Sequence, residues 1–227
     1  LSIRAFEKPW ADYEGAFRDN PFILRVMQKP MEGPPEGNYM EETVRTYSEI
    51  SAAGKGEMIY SRGEDDIIEK IGAIIDAAGG QSMDLVLALD TTQSMENDIP
   101  HLRGSLVPLL REKAKGFSSL RVGVVLYKDY GESYVTDVYP FQVGGVETVQ
   151  RILDRIRVFG GRDIPEAVYE ALYAGIHSYP WSAEKRLIVL VGDAPPHPRP
   201  RGKVTREQVY ADAGSLSIEL YTIILPQ

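Results

Sequence analysis

Residues 85–95 read Leu-Val-Leu-Ala-Leu-Asp-Thr-Thr-Gln-Ser-Met: five apolar residues ending at Asp90, then hydroxyls at Thr91, Thr92 and Ser94. An uninterrupted apolar run of strand length suits a strand buried on both faces, as in a parallel sheet covered by helices. In open sheets of that kind, ligands bind past the carboxyl ends of the strands, where the strand order reverses. The stretch therefore predicts a tight loop that presents Asp90, Thr92 and Ser94 at a binding rim. A carboxylate and two hydroxyls are hard oxygen donors, which suit Mg2+, with Mn2+ or Ca2+ as alternatives, over softer metals.

Working outward, the flanking sequence supplies the rest of such a sheet. Ile67, Ile68, Ile71, Ile74, Ile75 and Ala78 recur at helical spacing, and Gly79-Gly80 ends that helix. A helix is predicted over 98–115, with a kink or break at Pro108. Further strands are predicted over 121–127, 132–139, 186–191 and 219–225, the second of them at an edge because Pro140 closes it. Val149, Ile152, Leu153 and Ile156 mark a short helix. Val168, Ala171, Leu172 and Ile176 mark the next, with Pro165 in its first turn. Thr205 and Gln208 form a capping box, and Val204 and Val209 stand at staple positions. Strands alternating with helices predict an α/β fold: a doubly wound, mostly parallel sheet with helices on both faces.

Residues 1–62 differ in character, being rich in Pro, Gly and aromatics, with 39–50 the one stretch near helical spacing. They read as an extended or β-rich N-terminal extension, leaving 63–227 as the sheet domain. The apolar strand over 219–225 would then stand at the sheet edge, a liability that natural proteins cover. The run Phe-Ile-Leu-Arg-Val-Met at 22–27 is the expected cover.

Composition narrows the function classes. A net charge of -8 argues against a nucleic-acid backbone as partner. No apolar run approaches the roughly 20 residues that span a bilayer, so no transmembrane segment is expected. The lack of cysteine excludes disulfides, thiol chemistry and Cys-ligated zinc. The chain starts at Leu1 without Met, which points to a removed targeting segment or a fragment, and an extracytoplasmic bacterial setting (periplasmic or secreted) is the expectation.

A second strand ends in acid, Leu190-Val191-Gly192-Asp193, and a third acid, Asp163, follows Gly160-Gly161-Arg162. Two carboxylates converging on one rim repel each other unless a cation or hydrogen bonds separate them. These residues resemble the von Willebrand factor A-like domains, whose metal-ion-dependent adhesion site carries Asp-x-Ser/Thr-x-Ser after the first strand, here Asp90, Thr92 and Ser94. The resemblance covers roughly 82–225 and includes the segments 160–167 and 193–197. Tyr127-Lys128-Asp129-Tyr130 is similar to the segment after the second strand in bacterial and extracellular members. It implies a metal set of Asp90, Thr92, Ser94, Asp193 and Asp163. Where the family usually places a threonine ligand, this chain carries Arg162, a cation that can tune the site or replace the metal.

The resemblance further implies a binding module without turnover, in which the metal bridges to an acidic residue of a partner protein. A metal-free scaffold with Arg162 in the cation's place is the alternative. Catalysis is disfavoured: Thr92 stands where an aspartyl phosphotransferase needs its second acid, and a Ser94 hydrolase would need a Gly-x-Ser-x-Gly elbow. Each site residue also has an ordinary use. Thr92 and Ser94 can cap the following helix, Asp163 can begin one, and Asp193 can serve a turn. Asp129 reads as a solvated or capping acid, and His197 as a loop residue.

Overall fold

The computed structural model of the protein describes residues 37–141, 146–161 and 164–226. The decisive stretch is β2 (Ser82–Asp90), in which Leu85, Val86, Leu87, Ala88 and Leu89 are all fully buried. It lies between β3 (Ser119–Tyr127) and β5 (Lys185–Gly192), parallel to both. Beyond β3 the short β4 (Thr136–Tyr139) runs antiparallel at the edge, where Pro140 had placed it. Beyond β5 come β6 (Glu219–Ile224) and β1 (Lys55–Tyr60), both parallel. The order is β1-β6-β5-β2-β3-β4.

Alternation along each central strand feeds two cores. Leu85, Leu87, Leu89, Leu187, Val189 and Val191 join one, with α2 (Ile67–Ala78), α3 (Asp98–Ala114) and α4 (Glu147–Leu153). Val86, Ala88, Ile188 and Leu190 join the other, with α1 (Glu41–Ala53), α5 (Val168–His177) and α6 (Arg206–Ser215). The doubly wound, mostly parallel α/β fold expected from the sequence is the fold observed. Full burial of Leu85, Val86, Leu87 and Leu89 contributes on the order of 6–12 kcal/mol. That is comparable to a whole domain's net stability. A strand so anchored can carry an unfavourable group at its end, which is where Asp90 sits.

Several local expectations shift. Residues 41–60, placed by sequence in the extension, supply α1 and β1 of this same sheet, so its territory begins before residue 41 rather than at 63. The β6 edge is covered as required, but by β1, in the register Lys55↔Leu220, Met58↔Thr222 and Tyr60↔Ile224. The run at 22–27 lies outside the described residues. Helix α3 continues through Pro108 without a break in its span. Helix α5 starts at Val168, three residues after Pro165, because Glu166 first forms a parallel bridge to Pro196. Among the described residues no helix is long and apolar enough to cross a membrane.

The cap on α6 behaves as its sequence suggests: the Gln208 N–H donates to Thr205 Oγ1 at 3.2 Å. Thr205→Ala should cost about 1 kcal/mol. Urea unfolding reads this directly, and an unchanged midpoint would mean that water serves the N–H equally well.

Candidate functional site

The sheet places β2 and β5 side by side, and the chain leaves them in opposite directions, β2 leading to β3 and β5 to β6. This is the strand-order reversal at which open α/β sheets bind ligands. Asp90 ends β2 and Asp193 follows β5 immediately, both buried. Two of the predicted groups connect them. The Thr92 N–H and Oγ1–H both donate to Asp90 Oδ1, at 2.8 and 2.7 Å. Ser94 Oγ donates to Asp193 Oδ1 at 3.1 Å and lies 3.1 Å from Thr92 Oγ1. The carboxylates and hydroxyls form one chain of contacts, Asp90, Thr92, Ser94, Asp193. The other oxygen of Asp90, Oδ2, is buried and has no hydrogen-bond partner among the described residues. Arg162 and Asp163 lie outside those residues.

Glycine shapes the rim in two places. At Gly192 an added Cβ would sit 2.4 Å from Tyr127 Oη and 2.8 Å from Tyr47 Oη, so the strand end is narrowed by two tyrosines from neighbouring elements. Gly161 has φ +78, and a Cβ there would come within 3.1 Å of Thr92 Cβ. The glycine thus lets the 159–161 segment lie directly against the Asp90 loop. Backbone bonds hold the two together: the Gln93 N–H donates to Gly160 O at 3.3 Å and the Phe159 N–H to Thr91 O at 3.4 Å.

A residue that the sequence reading used only for resemblance strengthens this junction. Lys128, fully buried just past β3, donates from Nζ to Thr91 O and, at 2.5 Å, to Phe159 O. Its ammonium lies 4.2 Å from the centroid of the Phe159 ring and 5.6 Å from that of Tyr134. Asp129 beside it is buried rather than solvated, held by His197 and by Arg201 at 3.2 Å. A third acid was read only as a helix start. Asp98 is buried at the beginning of α3, its Oδ1 without a hydrogen-bond partner among the described residues. The first helix reaches the site too, because Thr43 Oγ1 donates to the Asp193 carbonyl at 3.2 Å. Lys128 directly follows the apolar end of β3, but neither it nor Asp98 carries a motif signature that marks its role.

The electrostatics follow from burial. Loss of solvent, then repulsion from Asp193, raises the Asp90 carboxyl to about 7, against the pull of the Thr92 hydrogen bonds and of Lys128. Burial, then Asp193 and Glu64, raises Asp98 to about 6. Burial raises Asp193 as well, opposed by its bond from Ser94. Burial lowers Lys128, opposed by Asp90 and other acids. The rim is therefore short of positive charge.

Among the described residues no group of three or more His, Cys, Asp or Glu side chains is placed to hold a metal ion. The set here is two carboxylates and two hydroxyls. Mg2+ commonly keeps several waters and needs only one or two protein carboxylates, so this set still fits it. The buried, unpartnered Asp90 Oδ2 is the group such a cation would satisfy.

No protein-family profile matches the chain, and no curated protein matches it. Among solved structures it is similar to an aerotolerance-related membrane protein from Bacteroides fragilis NCTC 9343 with multiple mutations to serines. The identity is 17% and the TM-score 0.44, over 63% of this chain and 67% of that one.

Proposed function

We propose that this domain is a von Willebrand factor A-like binding module that engages a partner protein through a divalent cation, with no turnover. The observation that supports it most is the buried Asp90 Oδ2, unpartnered among the described residues and beside a second raised acid, Asp193. Ser94 and Thr92 would hold Mg2+ together with Asp90 and Asp193, directly or through water. Mn2+ or Ca2+ would satisfy the same hard-oxygen set. The bound ion supplies a concentrated positive charge to which an acidic side chain of the partner adds. The protein's own part is to keep four oxygens in place, which Thr92, Ser94 and the Lys128-braced loops do before any ligand arrives. Outside the cytoplasm, where the resemblance to bacterial and extracellular family members points, such a module would serve adhesion or complex assembly.

A metal-free scaffold is the second reading, and Lys128 is the observation in its favour, since a resident cation already draws Asp90 towards its charged form. Calorimetric titration of the purified protein with Mg2+ separates the two. One binding event is expected, lost in Asp90→Ala. Mg2+ at about 100 times its Kd should also stabilise the fold by about 2.7 kcal/mol. No heat and no shift in melting temperature would leave the scaffold reading in possession.

A further inference from the structure

Among the described residues only two large hydrophobic side chains are exposed, Phe159 at 41% and Ile164 at 56%. Isolated exposed apolar residues are ordinary. Both of these, however, flank one loop, the one that Gly161 brings against Thr92. Phe159 is also held in place. Its N–H donates to Thr91 O at 3.4 Å and its carbonyl accepts from Lys128 Nζ at 2.5 Å. Its ring stands 4.2 Å from the same ammonium. A buried lysine thus fixes both the backbone and the ring of a residue whose side chain faces solvent one step from Asp90. The ring covers the Lys128 ammonium on one side, and 41% of the residue is still left exposed beside the Asp90 loop. Rigid, exposed aromatics with little entropy to lose are what interfaces use as anchors.

We propose that Phe159, with Ile164 on the far side of the loop, is a specificity contact for an apolar side chain that neighbours the acidic residue of the partner. This rests on the cation-bridged binding proposed above and adds to it. The acid alone carries no sequence information, since any exposed Asp or Glu offers the same carboxylate. A second contact a residue or two away distinguishes one acidic segment from the rest. Consecutive side chains of an extended segment point to opposite sides, so the apolar residue belongs one or two positions from the acid. The partner segment is accordingly acid plus aliphatic or aromatic, presented in extended form.

A displayed library of random seven-residue peptides, selected on the wild-type protein in Mg2+, tests this. Enriched sequences should pair Asp or Glu with Leu, Ile, Met or Phe within two positions, and EDTA should release them. The same selection on Phe159→Ser should keep the acid and lose the apolar preference. A synthetic peptide of the wild-type consensus should bind Ile164→Ser, altered at a residue 56% exposed, about tenfold more weakly, while calorimetric Mg2+ affinity stays unchanged. Acid enrichment without an apolar preference, or a preference that survives Phe159→Ser, overturns this inference and leaves the cation bridge standing. Enrichment without acid, or none at all, overturns both. The Phe159 ring covers the Lys128 ammonium, so the unchanged magnesium titration is asked of Ile164→Ser alone.

Discussion

Unfolded by urea in EDTA, the wild-type protein should grow less stable as pH rises from about 4 to about 7. Asp90→Asn should remove most of that loss. The cause is the Asp90 carboxyl, raised by burial and then by Asp193 to about 7. An unfolded aspartate titrates near 3.9. Between those values the folded protein holds a proton that the unfolded chain has released, so stability falls with rising pH. It levels off above about 7. The loss attributable to Asp90 is on the order of 4 kcal/mol. Asp98 and Asp193, also raised, add loss of the same sign. In Asp90→Asn the Oδ1 contacts to Thr92 can persist, and the slope should become shallow. At pH 7.5 the variant should be the more stable protein without metal. Added Mg2+ should restore the wild type and leave the variant where it was. Parallel pH curves for the two proteins would falsify the assignment of Asp90 as the strained acid.

The second large effect lies at the other end of the same strand. Asp84 is fully buried and accepts from Arg121 Nε and Nη2, both at 2.6 Å. Its Oδ2 also accepts from the Ser182 and Ala183 N–H groups at 2.8 and 2.9 Å. Burial works against the charge, but the Arg121 bonds and the two backbone donors win, and the carboxyl is held below its usual range. Asp84→Ala should cost about 3–5 kcal/mol, since it removes the carboxylate paired with Arg121, which keeps its bonds to Pro180 O and Ser182 Oγ, and deprives two N–H groups of their acceptor. The lower end is expected because Arg121 keeps 30% of its side chain in water. A depressed acid stabilises above its unfolded pKa and ceases to do so as pH falls through the folded value. Asp84 therefore contributes in full above about 4 and loses its contribution as pH falls below that, a dependence opposite in sign to that of Asp90. Asp84 and Asp90 stand roughly 20 Å apart along β2, so Mg2+ affinity should be unaffected and the two substitutions should add. A loss below 1 kcal/mol, or a coupled change in Mg2+ affinity, would contradict this.

How much of this was visible in the residues depends on whether a group advertises its surroundings. Strand β2 did, because five consecutive apolar side chains have no solvated alternative. The meeting of Asp90 and Asp193 was legible in part: parallel apolar strands that each end in acid share a rim, but that the two are neighbours comes from the strand order. Strand β1 did not. Lys-Gly-Glu-Met-Ile-Tyr is an edge strand with charged outward positions, and its pattern is that of many turns. Its place was decided by the bare edge of β6, which no local reading of residues 55–60 contains. The demand for a cover was legible, while the segment that met it was not. Lys128 was hidden for a different reason. A lysine after a strand is ordinarily solvated, and only two carbonyls arriving from distant loops, with a phenylalanine ring above, make a buried ammonium tenable. Asp98 follows the same logic, its helix-start position masking the buried acids and turns around it.

The pairing of β1 with β6 has a consequence for how the chain comes into being. On the ribosome, α1 and β1 leave the exit tunnel well before β6, the strand that β1 must lie beside. Until β6 follows, the nascent chain carries an unpaired β1 and an α1 whose apolar face has not met that strand. Strands β2 and β3, by contrast, can join as soon as α3 has passed. Sheet growth can therefore start in the middle, and this edge closes only when β6 meets the much earlier β1, a long-range closure of the kind that folds slowly. A translational stall before β6 would leave β1 unpaired and the sheet open on its β5 side.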